Sequence, residues 1–375
     1  MKKYLLSLAV LMMGTTLFTA CGDDDDDKIP ERKTVTVSEG MFVVGSGNVR
    51  SNIDGNLTYI DYTNGSSTLN AFQKVNGMSL GKTANFALVY GQKLYIAVDG
   101  ENTVWVCNKN TLKQERRINT VELLGATDGI SPRALASYKG QLFISLYGNS
   151  TNGVVAAVDT TNFQLVKKYT TGSATDGIGI AGDYLFAANS DYGNVKNPSI
   201  TIYNLNTGEK RDVKHADVTN PMHVVTVGNY AYVLDYGTYD EYWNQSGAGV
   251  RQVGTDGSVR RIVDGTAMCT DGKRIFTVNA PYGGSGINYN IYDIATGATT
   301  SWEPQDIYSP AAIATDPITG DIFIISYNEN PDKHNVGYNM PTYVNQYDAN
   351  GTFKKKFECG VCPISIVFNT DVKYE

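Results

Sequence analysis

The amino-acid sequence predicts an all-β fold, a seven-bladed β-propeller whose blades are four-stranded antiparallel sheets. Three observations support this prediction. A two-strand phrase recurs about every 45 residues, no segment beyond the first twenty residues has helical periodicity, and the two ends of the chain each hold part of one further unit. Units of four antiparallel strands at this kind of interval are typical of propeller blades.

The repeated phrase consists of a small residue or proline, an apolar stretch, a tight turn containing glycine, and an apolar-aromatic strand. It begins at positions 86, 132, 177, 221, 266 and 310. A glycine turn between two apolar runs is typical of a β-hairpin. A third strand follows each phrase, as in 103–107 and 199–203, and a more polar fourth strand such as 260–263 closes the unit. Six complete blades are therefore predicted.

The seventh unit is divided between the two ends of the chain. Residues 363–371 begin a phrase that has no following strands, whereas three strands near the N-terminus, 41–44, 57–60 and 68–72, have no phrase start before them. We therefore predict that the C-terminal strand completes the N-terminal blade. This closure removes the open sheet edges of a linear array, and it makes 34–375 one folded domain.

The N-terminus has the pattern of an export signal. Lys2 and Lys3 precede a short apolar run, and the small residues Thr19 and Ala20 precede Cys21. Residues 1–20 are therefore predicted to be a signal peptide, and the cysteine after the cleavage site resembles a bacterial lipobox, which implies that Cys21 is lipidated. A transmembrane anchor is the alternative, but the apolar run is short for a hydrocarbon layer of about 30 Å.

Residues 21–33 form a predicted acidic linker, in which every position from Asp23 to Asp27 is an aspartate. Such a run is repelled by an anionic membrane surface. The pattern resembles the export signal of Bacteroidetes lipoproteins that reach the outer face of the outer membrane. The resemblance implies a protein that faces the extracellular side and contacts the membrane only through its lipid anchor, with the periplasmic face as the alternative.

The candidate binding surface is predicted on the loops that join second and third strands, because these loops lie on one face of a propeller. They are long and combine aromatic residues with Asn, Gly and Ser. Tyrosine gives a large contact area at low entropic cost, and small polar residues give adaptable hydrogen bonds. Rings that only cap the blades are the alternative. The candidate residues are Tyr147, Tyr192, Tyr236, Tyr239, Tyr242, Trp243, Tyr282, Tyr327 and Tyr338.

Two further residues, Arg133 and His223, lie at the channel end of their strands and are predicted either to contact the ligand or to pack between blades. The aspartate–glycine pairs at 128, 176 and 264 are interpreted as turns, with calcium binding as the less favoured alternative.

No catalytic or metal site is predicted, because the 3 histidines match no zinc spacing and the chain lacks a nucleophile elbow and a phosphate loop. The net charge of −7 and the lack of a basic run disfavour nucleic acid as a partner.

The cysteines of the folded domain are predicted to have structural roles. Cys359 and Cys362 form a CxxC motif that joins two predicted strands. A redox-active CxxC needs a helix N-terminus to lower the pKa of a thiol, and no helix is predicted here. A structural disulfide in an oxidising compartment is therefore expected. Cys107 and Cys269 lie within strands and are expected in the core.

The chain after the signal peptide resembles the YncE-like propeller lipoproteins of Bacteroidetes. The resemblance rests on the Cys21-Gly22-Asp23 run, on the PxxI/V phrase starts and on the aromatic strands after each glycine turn. Most similar are the members of the BtuG type, which implies surface capture of vitamin B12 and its delivery to a TonB-dependent transporter of the BtuB type. Cobalamin is then the expected ligand, bound without a histidine on its cobalt, and no catalytic cofactor is expected.

Two other classes of function remain open at this stage. A glycan- or protein-binding adhesin would use the same aromatic loops over a flatter surface. A hydrolase or lactonase on a propeller scaffold would need a metal or an acid–base cluster at the channel mouth, and the few histidines disfavour it. The fold alone does not distinguish ligand capture from adhesion.

Overall fold

The propeller prediction is confirmed by the computed structural model, which describes residues 34–149, 151–284 and 286–374. Seven four-stranded antiparallel sheets form the blades of the propeller. We number blades 1 to 6 in chain order and call the composite unit blade 7. The predicted signal peptide 1–20, the lipidation site Cys21 and the acidic linker 21–33 lie outside the described residues.

Blades 1 to 3 follow one another along the chain, and each is built in order from its innermost to its outermost strand. Blade 1 consists of Ala84–Tyr90, Lys93–Val98, Thr103–Asn108 and Gln114–Asn119. Blade 2 consists of Pro132–Tyr138, Gln141–Leu146, Val154–Asp159 and Leu165–Thr170. Blade 3 consists of Thr175–Ala181, Tyr184–Asn189, Ser199–Asn204 and Lys210–Val213.

Blades 4 to 6 repeat this order. Blade 4 consists of Pro221–Val227, Tyr230–Asp235, Gly249–Gly254 and Val259–Asp264. Blade 5 consists of Ala267–Thr270, Arg274–Asn279, Asn288–Asp293 and Thr299–Trp302, and blade 6 of Ser309–Thr315, Ile322–Tyr327, Pro341–Tyr347 and Phe353–Val361. Blades 4 and 6 each add a small hairpin between the second and third strands, Thr238–Tyr239 with Gln245–Ser246 and Glu329–Asn330 with Asn335–Val336.

Blade 7 joins the two ends of the folded domain, as predicted. Its innermost strand is the C-terminal Pro363–Tyr374, followed outward by Thr34–Gly45, Asn56–Asp61 and Ser67–Thr68. The first two of these strands pair along their full length. Because the ladder links residues more than 300 positions apart, it joins the two ends of the folded domain and closes the ring of blades.

The prediction of a strand over 68–72 is wrong for most of its length. The strand ends at Thr68, and a short helix, Ala71–Asn76, follows it. Phe72 on this helix is buried, with its ring centroid 5.4 Å from that of Trp105 in blade 1. The Asn76 side chain donates to the carbonyl of Leu112, also in blade 1. The helix thus packs an aromatic side chain between blades 7 and 1, and this long-range contact is not visible in a local pattern.

One other α-helix, Thr120–Leu124, and the 3-10 turns Val49–Ser51, Asp99–Glu101 and Asp191–Gly193 complete the elements of the described residues. No described helix has the length and apolar character needed to cross a membrane.

The core lies between the blades. The second strands are buried almost throughout, as in Gln141–Leu146 and Tyr184–Asn189, because both faces of a blade pack against neighbouring blades. The outermost strands are polar, with exposed basic pairs such as Arg116–Arg117 and Lys167–Lys168. Charged side chains on an edge strand oppose pairing with another chain. Cys107 and Cys269 are buried, as expected.

The topology defines two faces. Every inner strand begins at the same face, which also carries the connections between second and third strands and those from each blade to the next. We call it the upper face, and we call the upper ends of the inner strands the channel mouth. The opposite face carries the short turns between first and second strands, such as 139–140 and 228–229.

Candidate functional site

The inner strands of blades 1 to 4 have a β-bulge close to the channel mouth. The pairing between the first and second strands shifts its register between Ala84 and Phe86, Pro132 and Leu135, Thr175 and Ile178, and Pro221 and His223. A bulge inserts an extra residue and re-aims its side chain. Arg133 and Asp176 lie within these bulges, so their side chains are directed by an irregularity that the fold repeats from blade to blade.

Arg133 is the centre of a polar cluster that connects blades 1, 2 and 3. Its Nη1 lies 2.9 Å from Oδ2 of Asp99, and its Nε lies 3.0 Å from Oδ1 of Asp176. The guanidinium carbon lies 4.6 Å from the ring centroid of Tyr147, whose hydroxyl donates to Asp176 Oδ1 at 2.8 Å. Ser190 donates to the other carboxylate oxygen of Asp176 at 2.7 Å. Asp176 is only 4% exposed, so these partners offset the cost of burying its charge.

Aromatic rings of blades 3 and 4 lie beside this cluster. Tyr192 of blade 3 packs edge-to-face on Tyr147, with centroids 5.1 Å apart. In blade 4, His223 Nε2 lies 3.2 Å from the hydroxyl of Tyr236, and the two rings are 5.9 Å apart. Burial raises the pKa of Tyr147 and of Tyr236, and the charge of Asp176 adds to the effect in both. Both phenols are therefore neutral hydrogen-bonding groups at physiological pH.

His223 is exposed to solvent although protein surrounds it, as expected for a side chain that lines a channel. Desolvation lowers the pKa of its imidazole, while the nearby Asp176 raises it and Arg133 lowers it. The net direction is downward, so the imidazole is neutral at pH 7. It offers one donor and one acceptor nitrogen to the channel mouth and to Tyr236.

The hairpin of blade 4 displays two exposed aromatic side chains. Its tip is organised by Asp240, which accepts the backbone N–H groups of Tyr242 at 2.9 Å and of Asn244 at 2.8 Å. Tyr242 is 76% exposed and Trp243 is 68% exposed, and the Tyr239 and Trp243 rings are 6.2 Å apart. Large apolar side chains so accessible at one tip are typical of a contact surface.

Trp243 also has a strained backbone, with φ at 66°. A bulky residue in the left-handed region costs of order 1–3 kcal/mol, and such residues cluster at functional sites. Tyr192 has the same property, with φ at 56°, and it too is exposed. Two of the exposed rings on the upper face are therefore held in conformations that the local sequence disfavours.

Blades 5 and 6 continue the aromatic rim. Gln245 of the hairpin donates its backbone N–H to the carbonyl of Tyr282 at 2.8 Å, and its side-chain Oε1 accepts the Tyr282 N–H at 3.0 Å. Its side chain also donates to the Tyr236 carbonyl. In blade 6, Tyr327 and Tyr338 pack edge-to-face with centroids 5.0 Å apart. The structure thus places all the predicted aromatic residues on the upper face, with Tyr147, Tyr192 and Tyr236 nearest to Arg133 and His223.

The channel mouth is not symmetric. The second residues of the inner strands are Asn85, Arg133 and Asp176 in blades 1 to 3, and in blade 4 His223 follows Met222. In blades 5 to 7 the same positions include Met268, Ala311 and Ile364, and Ser365 is the polar exception. We call blades 1 to 4 the polar half of the mouth and blades 5 to 7 the apolar half. The charged side chains at these positions, Arg133 and Asp176, therefore both lie in the polar half.

The interpretation of Asp176 as a turn residue is wrong. It lies inside the inner strand Thr175–Ala181 and accepts hydrogen bonds from three neighbouring side chains. Asp99 and Ser190 were not singled out by the sequence either. Asp176 occupies the same place in its inner strand as Arg133 does in the preceding blade, but the predicted phrase of blade 3 starts at 177 and does not reveal this equivalence.

The expected disulfide between Cys359 and Cys362 is absent, and all four described cysteines are free. Cys359 is fully buried in the core between blades 6 and 7. Cys362 has a left-handed backbone, with φ at 48°, and its Sγ lies 2.9 Å from the Tyr338 carbonyl. The chain thus turns between the two cysteines and directs their sulfurs to different neighbours.

Among the residues that the structure describes, no group of three or more His, Cys, Asp or Glu side chains could hold a metal ion.

Fold and site together define a β-propeller with an aromatic upper face around a polar, asymmetric channel mouth. Residues 39–230 match the model of DUF5074, a domain of unknown function. This match covers just over half of the chain, from blade 7 to the start of blade 4, so the chain belongs to the DUF5074 family. No curated protein matches the sequence.

Solved structures with the same fold include two Bacteroides proteins. One, from Bacteroides uniformis and named "putative 6-phosphogluconolactonase", is 12% identical over 89% of this chain and 100% of its own, with a TM-score of 0.59. A namesake from Bacteroides fragilis is 14% identical over 88% of this chain and 98% of its own, with a TM-score of 0.56. A hypothetical selenium-binding protein from Sulfolobus tokodaii is 9% identical over 88% of this chain and 93% of its own, with a TM-score of 0.58. At these identities the likeness shows the fold alone.

Proposed function

We propose that this protein is a binding protein that captures a bulky amphipathic small molecule on its upper face, and that the ligand is a corrinoid of the vitamin B12 type. The observation that supports the proposal is the polar half of the channel mouth, where Arg133, Tyr147 and Asp176 form one hydrogen-bonded cluster. In the adjacent blade His223 pairs with Tyr236, close to exposed aromatic rings. Apolar and aromatic walls with a few convergent polar groups are typical of small-molecule sites.

The chemistry of a corrinoid suits this surface. A corrin is a broad disc with apolar faces, and amide side chains project from its rim. Exposed rings such as Trp243, Tyr242 and Tyr282 offer flat apolar surface to the disc. The neutral phenols of Tyr147 and Tyr236 and the neutral imidazole of His223 offer donors and acceptors to the amides.

Delivery to a transporter follows from the N-terminal pattern. Lipidation at Cys21 and the aspartate run Asp23–Asp27 would hold the propeller at the outer face of the outer membrane, where a captured nutrient passes to a TonB-dependent transporter of the BtuB type. The lipid anchor is the only membrane contact in this proposal, and no catalytic role is assigned. A glycan or a protein as the ligand of the same rings is the outcome to be distinguished by the experiment.

The experiment is a calorimetric titration of residues 28–375 with cyanocobalamin, with cobinamide in parallel. Tight one-to-one binding is expected. Trp243→Gly is the informative variant, because glycine accepts the left-handed backbone at φ 66° and the hairpin keeps its shape while the ring is lost. Loss of one stacking ring is expected to weaken binding about tenfold.

The matched control is Tyr230→Ala, which removes a 46% exposed tyrosine from the turn of blade 4 on the opposite face. It should leave the affinity unchanged. No detectable heat together with no change in melting temperature at high micromolar cobalamin would refute the corrinoid proposal. Glycan and protein ligands for the same rings would then be tested by array screening.

A further inference from the structure

The charges at the channel mouth do not cancel. Two carboxylates, Asp99 and Asp176, share the single guanidinium of Arg133, which leaves one unit of negative charge in the cluster. Asp191, only 9% exposed, lies on the adjacent turn and accepts a backbone N–H from Asn197 at 3.0 Å. The other ionisable group of the cluster, His223, is neutral at pH 7.

The rings at the mouth experience this negative charge. Burial raises the pKa of Tyr192, and the carboxylates of Asp176, Asp191 and Asp99 raise it further. The faces of tyrosine and tryptophan rings themselves attract cations. The charge of Arg133 offsets only one of the two carboxylates that it binds, so a net negative charge remains at the mouth.

From this arrangement we infer that the channel mouth selects its ligand by charge: it takes cationic forms of the ligand in preference to neutral forms, and neutral forms in preference to anionic ones. The inference rests on the proposed corrinoid function and adds a specificity rule to it. Asp99 is the residue that sets the excess charge, since Asp176 is the more buried partner of Arg133 and holds it in place.

The expected size of the effect follows from Coulomb's law. A unit charge on a ligand at a distance on the order of 8 Å from a carboxylate, in a partly solvated site, changes the affinity roughly threefold to tenfold. Low-dielectric walls around the mouth increase this effect relative to bulk water. The preference should therefore be measurable with ligands that differ in one charge only.

The test uses cobalamins that share the corrin and the nucleotide tail and differ in the axial group on cobalt. At pH 7, where His223 is neutral, aquacobalamin is mainly a cation with one net positive charge, cyanocobalamin and methylcobalamin are neutral, and sulfitocobalamin carries one negative charge. The expected order of affinity is aquacobalamin, then the two neutral forms together, then sulfitocobalamin, with roughly threefold to tenfold between steps. The two neutral forms differ in the size of the axial group and so control for steric effects.

Two isosteric variants complete the test. Asp99→Asn keeps an oxygen that can accept from Arg133 but removes the charge, and it should flatten the charge order. Asp183→Asn is the matched control, because Asp183 forms a similar interblade ion pair with Lys139 on the opposite face at 3.0 Å. It should leave the order as in the unmodified protein. Melting temperatures verify that both variants are folded.

Each outcome is decisive. Equal affinity for all four cobalamins overturns the charge rule and leaves the proposed corrinoid function intact. No binding of any cobalamin overturns the proposed function and the charge rule together. A preference for aquacobalamin that comes with a shift in its visible spectrum and disappears in His223→Gln shows coordination of cobalt by the imidazole, which also overturns the charge rule.

Discussion

The polar and apolar halves of the channel mouth are built from the same phrase but carry opposite chemistry. In both halves a β-bulge can open the inner strand near its upper end, as it does at Pro132–Leu135 in blade 2 and at Pro310–Ala312 in blade 6. The residue inside the bulge is Arg133 in blade 2 and Ala311 in blade 6. The comparison teaches that the propeller supplies a repeated position, while the side chain at that position decides whether it serves packing or recognition.

The two halves also differ in what they cost the fold. Apolar residues such as Met268 add to the packing between blades without further requirements. Asp176 in the polar half is nearly buried and is stable there only with its partners Arg133, Tyr147 and Ser190. A buried charged cluster that lowers the stability of the fold in this way is typical of a binding site.

The largest expected difference between the two halves is in the free energy of unfolding that is lost when one mouth side chain is removed. Arg133→Ala leaves the Asp176 carboxylate buried without its cation. We expect a loss of about 2–4 kcal/mol in the free energy of unfolding, less than for a fully buried pair because Arg133 is partly exposed. Urea denaturation measures this change.

Two further variants sharpen this comparison. Met268→Ala in the apolar half should cost only about 1 kcal/mol, because its side chain is half-buried. Asp176→Asn combined with Arg133→Ala should recover part of the loss, since the uncompensated charge is removed. Equal losses for Arg133→Ala and Met268→Ala would show that the two halves do not differ energetically.

A smaller effect is expected in the pH dependence of stability. Desolvation lowers the pKa of His223, so below about pH 6.5 the unfolded chain binds a proton more readily than the folded protein does. Its contribution to stability is therefore complete above pH 6.5 and is lost as the pH falls towards the folded pKa.

His223→Gln removes this contribution. Between pH 7.5 and pH 5.5 the variant should lose less unfolding free energy than the unmodified protein, by less than about 1 kcal/mol, because the imidazole is exposed to channel water. Denaturation of both proteins at the two pH values gives the difference. A steeper loss in the variant would contradict the assigned direction of the shift.

Most of the fold could be predicted because the same sequence phrase recurs in blade after blade, so each occurrence supports the others. The start at Pro132, the start at Pro221 and the lone strand from Pro363 all have the same phrase, so blade number and closure follow from counting. The helix Ala71–Asn76 could not be predicted in the same way. It occurs once, and its anchor is the contact of Phe72 with Trp105, which depends on the packing of two blades.

The site was only partly visible in the sequence. Exposed rings such as Trp243 could be found, because a long loop rich in tyrosine, asparagine and glycine is typical of a contact surface. The role of Asp176 could not, since an aspartate before a glycine is commonest in turns. Its role depends on a bulge and on Arg133, 43 residues earlier and in another blade. Ionic partners of this kind are defined by three-dimensional packing.

The most direct test of the binding surface is hydrogen–deuterium exchange with and without cyanocobalamin. If the upper face binds the ligand at its polar half, the loops after the second strands of blades 2, 3 and 4 should gain protection, together with the hairpin Thr238–Ser246. The turns at 139–140, 182–183 and 228–229 on the opposite face of the same blades should exchange as before. Protection at those turns, or confined to blades 5 to 7, would contradict the account.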